Sequence, residues 1–147
     1  MITLQEVTKE NWIDVISLSV RDDQKAFITS NAVSLAQLHF LDEFVAKAIY
    51  ANEELVGFAL YGVDEDDGEY WIYRFMIDQK FQGKNYGREA MSALIEDIRA
   101  NKQPRHKTIT LSYEPKNQAA KQFYDKIGFQ EVEGLLISDE QVSRYTF

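Results

Sequence analysis

The stretch Glu69–Asp78 (EYWIYRFMID) is nearly continuous apolar and aromatic sequence. A half-exposed strand would alternate polar and apolar positions, and this one barely does. It is therefore predicted as a central strand covered on both faces. The next segment, Phe81–Arg88 (FQGKNYGR), holds two glycines and runs straight into Arg88–Asn101. There Met91, Leu94, Ile95 and Ile98 recur at helical spacing and predict a buried face. A covered strand, a glycine-containing turn and a helix in that order demand helices packed on a sheet.

The remaining segments fit around that unit. Ile2–Val7 alternates as a strand, and Thr8 is placed to cap a helix over Asn11–Val20. Arg21–Asn31 reads as a loop or short helix, and Ala32–Asp42 as a second helix. Phe44–Ala51 and Glu54–Val63 flank Asn52-Glu53 and predict a hairpin. Asp64–Gly68 is an acidic turn. Lys107–Tyr113 reads as a strand, Asn117–Lys126 as a short helix closed by Gly128, and Phe129–Val132 and Val142–Phe147 as closing strands. The expected fold is mixed α/β (α+β), in a single domain spanning residues 1–147.

Composition removes several functions. Lys and Arg total 16 against 24 Asp and Glu, a formal charge of −8. Such a chain would approach nucleic acid or an anionic membrane against its own field, while a cationic small molecule would be attracted. Cysteine is absent, which excludes disulfides, thiolate metal sites and a cysteine nucleophile. His39 and His106 show no metal-ligand spacing, so no metal is expected. MITLQEVTKE lacks the pattern of a secretory signal, no run suits a membrane span, and the cytoplasm is the expected compartment.

The turn carries the clearest chemistry. Unpaired N–H groups at a helix start, with the helix dipole, favour an anion. Gly83 and Gly87 permit close approach of a ligand, Asn85 tolerates positive φ, and Lys84 and Arg88 add positive charge. An ordinary strand-to-helix turn with two surface cations would read the same way. Neither GxxxxGK[ST] nor GxGxxG is present.

Two blocks resemble the GCN5-related N-acetyltransferase (GNAT) superfamily. FMIDQKFQGKNYGREAM is similar to its [Q/R]-x-x-G-x-[G/A] loop after a strand, with Gln82, Lys84, Tyr86 and Gly87 in place and Asn85 where the middle glycine stands. Asn117–Phe129 is similar to its N-x-x-A-x-x-x-Y-x-x-x-G-F helix and strand. The resemblance implies a mostly antiparallel twisted sheet of about six or seven strands flanked by about four helices. It also implies acetyl transfer from acetyl-CoA, the co-substrate, to an amine. It assigns the CoA pyrophosphate to Gln82, Gly83, Lys84, Asn85, Tyr86, Gly87 and Arg88. Pantetheine falls to main-chain groups of Phe75, Met76 and Ile77, and a further CoA contact to Asn117. Tyr124 takes the role of protonating the leaving thiolate, although a packed helical aromatic would look alike in sequence. Dimerisation through the C-terminal strands is common in such enzymes.

The proton acceptor is less defined. Strict alternation places Glu69, Trp71, Tyr73 and Phe75 on one face and Tyr70, Ile72, Arg74 and Met76 on the other. Glu69 acting through water, or an acid from another element, is the expected base. Asp22, Glu43, Trp71 and Tyr73 are the expected acceptor contacts, through ion pairing and cation–π attraction. The chain also resembles bacterial spermine/spermidine acetyltransferases, which implies a polyamine acceptor. Another small-molecule amine, a protein lysine or N-terminus, and a non-catalytic acetyl-CoA-binding module stand as alternatives.

Overall fold

A computed structural model describes residues 1–147. The elements run β1 (Ile2–Glu6), α1 (Trp12–Ser17), a 3-10 turn (Asp22–Phe27), α2 (Asn31–Leu38), β2 (Phe44–Ala51), β3 (Glu54–Val63) and β4 (Tyr70–Ile77). A short 3-10 turn (Gln79–Phe81) then leads to α3 (Tyr86–Asn101), β5 (Thr108–Tyr113), α4 (Gln118–Ile127), β6 (Gln130–Ile137) and β7 (Glu140–Thr146). All seven strands share one sheet in the order β1-β2-β3-β4-β5-β7-β6. This is the expected mixed α/β architecture, with β4 at its centre. No helix is long and apolar enough to cross a membrane.

Each sheet face is covered by its own helices. The α3 residues Ala90, Met91, Leu94, Ile95 and Ile98 bury against one face, with α4 packed beside them. On the other face Val15 of α1 joins Ala48, Phe58 and Leu60, with Leu35 and Leu38 of α2 alongside. Burying large apolar side chains contributes roughly 1.5–3 kcal/mol each, so the two layers, rather than intrinsic propensity, hold the short helices α1 and α2 in place.

Several boundaries shift for local reasons. The first helix starts from Asn11 rather than Thr8, whose carbonyl accepts from the Asn11 and Trp12 amides. It ends at Ser17, because Leu18 turns into extended backbone with ψ of 144°. In α2 the buried positions are Asn31 and Ser34, whereas Val33 is exposed. The Asn31 amide donates to Val15 O (2.9 Å) and so pins α2 to α1. The closing strands join as a longer hairpin, turning at Ser138 and Asp139, both at positive φ.

Strict alternation fails in β4. Leu60 pairs with Arg74 and Tyr61 with Ile72, leaving Tyr73 as an extra residue on the bulged strand. Before the bulge Ile72 faces α3, and Trp71 and Tyr73 face α1 and α2. After it Phe75 and Ile77 face α3, and Met76 faces α1 and α2. Phe75 therefore leaves the face expected for it, and Met76 crosses to that of Trp71.

The β4 and β5 strands form the one parallel pair, and it lasts two positions, Tyr70↔Ile109 and Trp71↔Thr110. Beyond them the strands separate. Elsewhere the sheet is tight: a Cβ on Gly62 would lie 2.1 Å from the Glu43 carbonyl oxygen and 2.5 Å from Phe44 Cα. Backbone cannot yield there cheaply, so Gly62→Ala should destabilise by about 1–3 kcal/mol, the usual cost of overpacking. Chemical denaturation checks this, and an unchanged midpoint would refute the close approach.

Candidate active site

The gap between β4 and β5 opens into a cavity of about 690 Å³. Its walls come from both sheet faces. Ile72, Phe75, Leu111 and Tyr113 contribute on the α3 side, and Tyr73, Arg74 and Ser112 on the α1–α2 side. The gap is therefore a passage through the sheet. Helix α4 lies across it with two aromatic residues. Phe123 stacks on Phe75 of β4 (centroids 6.1 Å, 23°), and Tyr124 stacks on Tyr113 of β5 (5.9 Å, 15°). Each such pair contributes about 0.5–1.5 kcal/mol beyond area burial, so one ring rests on each separated strand. Phe123 is half-buried and lines the cavity.

The turn before α3 closes one end. Gly83 sits at φ 83° and Asn85 at φ 67°, the left-handed region that glycine and asparagine adopt at least cost. The Asn85 side chain caps nothing. Main-chain amides from Gln82 to Arg88 donate to no carbonyl, and the first paired amide is Glu89, to Asn85 O at 3.3 Å. A run of free donors with the positive end of a 16-residue helix behind it suits a polyanion. Gly87 packs closely under α4, and a Cβ there would lie 3.3 Å from the Phe123 ring. Gln82 clamps the turn, its side-chain amide donating to Ile77 O (2.9 Å) and to Gln24 Oε1 (3.0 Å).

A model of the acetyltransferase (GNAT) family matches residues 8–129. The chain belongs to the GNAT acetyltransferase family. It is 33% identical over 135 residues, 88% of each chain, to a spermine/spermidine N(1)-acetyltransferase of Bacillus subtilis strain 168. Identity and coverage are the same for a probable spermine N(1)-acetyltransferase of Bacillus subtilis subsp. natto. Among solved structures, the aminoglycoside acetyltransferase AAC(6')-Ib with coenzyme A and kanamycin superposes with a TM-score of 0.78 at 19% identity, covering 99% of this chain and 95% of that one. An acetyltransferase of Thermus thermophilus gives 0.73 at 18%, covering 100% and 97%.

Within this GNAT fold the candidate residues divide. Phe75, Met76, Ile77, Gln82, Gly83, Asn85, Tyr86, Gly87, Arg88, Asn117, Tyr124 and Tyr73 all line the cavity. Asn117 Oδ1 accepts from the Ala120 amide (3.1 Å), capping α4 and leaving the Asn117 NH₂ available. Lys84 does not line it, and lies over the Phe81 ring at 5.9 Å. Asp22 pairs with Lys25 at 2.9 Å on the surface, and Glu43 is exposed outside the cavity. Trp71 is buried with its Nε1 donating to Asp67 (2.8 Å), so its ring is not offered to a cation. Glu69 accepts from Thr108 at 3.4 Å, at the paired end of β4 and β5. Six residues at about 3.3 Å each put it roughly 20 Å along the strand from Phe75. Sequence alternation could not show this, because pairing at that end depends on β5.

Three charged cavity residues, Arg74, Lys126 and Glu140, lie outside the set expected from sequence. Arg74 donates to Tyr73 O (2.8 Å) and Gln37 Oε1 (2.9 Å), and burial lowers its pKa. Glu140 opens β7 and accepts from Ser112 Oγ at 2.8 Å. The predicted strand began two residues later, at Val142.

The phenols share one electrostatic trend. Burial raises the pKa of Tyr61, Tyr73, Tyr113 and Tyr124. Asp97, Asp64 and Glu131 reinforce the first three by accepting their hydroxyls. An unfolded phenol titrates near 10, so the folded state binds more protons above that pH. Stability from these groups is complete below about pH 10 and is lost as pH rises further. Alkaline titration should show phenolate absorbance from these residues rising together with loss of circular dichroism. Ionisation of every tyrosine near pH 10 with the fold intact would contradict this.

Proposed function

We propose that this GNAT protein transfers acetyl from acetyl-CoA to a polyamine. The observation that carries acetyl-CoA binding is the run of free amides opening onto the β4–β5 gap. Amides from Gln82 to Arg88, with the Arg88 side chain, hold the pyrophosphate. Main-chain groups of Phe75, Met76 and Ile77 border the gap where β4 has lost its parallel partner, and pantetheine pairs with that edge as an added strand would. The Asn117 NH₂ contributes a further donor. The 33% identity to spermine/spermidine acetyltransferases supports the choice of acceptor.

The chemistry then rests on this chain's own groups. The free amine attacks the thioester carbonyl, and a main-chain N–H near Met76 stabilises the charge that develops on its oxygen. As the C–S bond breaks, Tyr124 supplies a proton to sulfur, and the proton lost from the amine nitrogen passes through solvent to restore the phenol. A phenol is protonated at neutral pH. Burial, which disfavours the phenolate and raises the Tyr124 pKa, makes it a weaker acid that gives up its proton only to the basic thiolate as it forms.

Arg74 favours a second reading. A buried cation on the acceptor side suits an amine that also carries an anionic group better than a polycation. A thiol-release assay across spermidine, spermine, an aminoglycoside, an amino acid and a peptide separates the two. Spermidine or spermine should give the highest kcat/KM, and turnover of the amino acid or peptide alone would overturn the polyamine acceptor. In the same assay Tyr124→Phe should lower kcat by about 10²-fold, within the usual range for general acid catalysis. Calorimetry should find its CoA affinity unchanged. Equal kcat would remove the proton-donor role.

A further inference from the structure

We propose that Glu140 is the carboxylate that receives the ammonium group of the acceptor. The proposal rests on the acetyl-transfer reading and adds the residue that recognises the amine. Glu140 is the sole Asp or Glu among the residues lining the cavity. It opens β7, where Val142 two positions on belongs to the α1–α2 core, so strand alternation turns Glu140 to the same face. That face is opposite α4, whose Tyr124 stands on the other side of the gap. An amine held by Glu140 and a thioester approached by Tyr124 would meet inside the gap from opposite sides of the sheet.

The charge on Glu140 is not consumed elsewhere. Oε1 accepts the Ser112 hydroxyl at 2.8 Å, and Oε2 has no partner in the chain. Arg74 lines the same cavity, with Nη1 donating to Tyr73 O, Nη2 to Gln37 Oε1 and Nε unpartnered, and no ion pair joins it to Glu140. Its field lowers the cost of a half-buried carboxylate without occupying it. A cavity-lining carboxylate fixed by one hydroxyl, with its second oxygen unpartnered, provides a charge-assisted acceptor for one primary ammonium. It sets the position of that ammonium, and so selects acceptors that present a protonated amine.

The isosteric variant separates recognition from architecture. Glu140→Gln keeps an oxygen for Ser112 and removes only the charge. With whichever amine the wild-type protein acetylates best, Glu140→Gln should raise the acceptor KM at least about tenfold, the scale of a lost hydrogen bond to a charged group. The acetyl-CoA KM and the denaturation midpoint should stay unchanged. Glu140→Asp should recover part of the loss, and Glu133→Gln on the exposed face of β6 should match wild type. An acceptor KM within twofold of wild type for Glu140→Gln would overturn the proposal, as would an equal rise in the acetyl-CoA KM. Wild-type activity on another amine but not on polyamines would defeat the polyamine acceptor alone. Wild-type inactivity on every amine would defeat acetyl transfer and this proposal with it.

Discussion

Parallel pairing between β4 and β5 stops after Trp71↔Thr110, and the site depends on where it stops. Main-chain donors and acceptors rarely remain buried without partners. A central strand that loses its neighbour half-way therefore needs something strand-like, or water, along its free edge. Two features keep the strands from closing again. The bulge at Tyr73 redirects β4, and α4 sets Phe123 on β4 and Tyr124 on β5. Stacking of these rings resists closure of the gap, and the same helix delivers a phenol into it. Gln82 reaches back to Ile77 O and fixes the amide-bearing turn at the end of that edge.

Acidity is distributed in a way that formal charge does not show. Of the 24 acidic residues, several near the site are engaged in holding it together. Asp64 accepts the Tyr73 hydroxyl, Asp67 the Trp71 indole, and buried Asp78 the Ser19 amide at 2.7 Å. That last bond ties the segment after α1 to the end of β4. Arg88 and the free amides supply a local positive region at the turn. The cavity is thus lined by free amides and Arg88 at the α3 end, and by Glu140 and Arg74 on the α1–α2 side.

Much of this was legible in the residues. The near-continuous apolar run placed β4 at the sheet centre, Asn52-Glu53 placed the β2–β3 hairpin, and Asn85 was the residue to expect at positive φ. The failures share a physical cause. Alternation assumes a regular strand, and the bulge at Tyr73 reverses the faces of Phe75 and Met76. Ser138 and Asp139 turn the last hairpin without glycine or asparagine, and β6 is a largely exposed edge strand, so its pattern gave no signal. Glu140 was hidden with it. Surface carboxylates such as Asp22 and Glu43 suggested an acceptor mouth, but only packing decides which side chains reach a cavity.

The ligand that occupies the β4–β5 gap decides the function. Titration of the protein with coenzyme A, followed by amide chemical shifts, reads this directly. Binding in the gap should perturb amides from Gln82 to Arg88, the open edge Phe75–Ile77, and the first turn of α4. Perturbations confined to other surfaces, or none at millimolar coenzyme A, would contradict the assignment of the β4–β5 gap as the acetyl-CoA site.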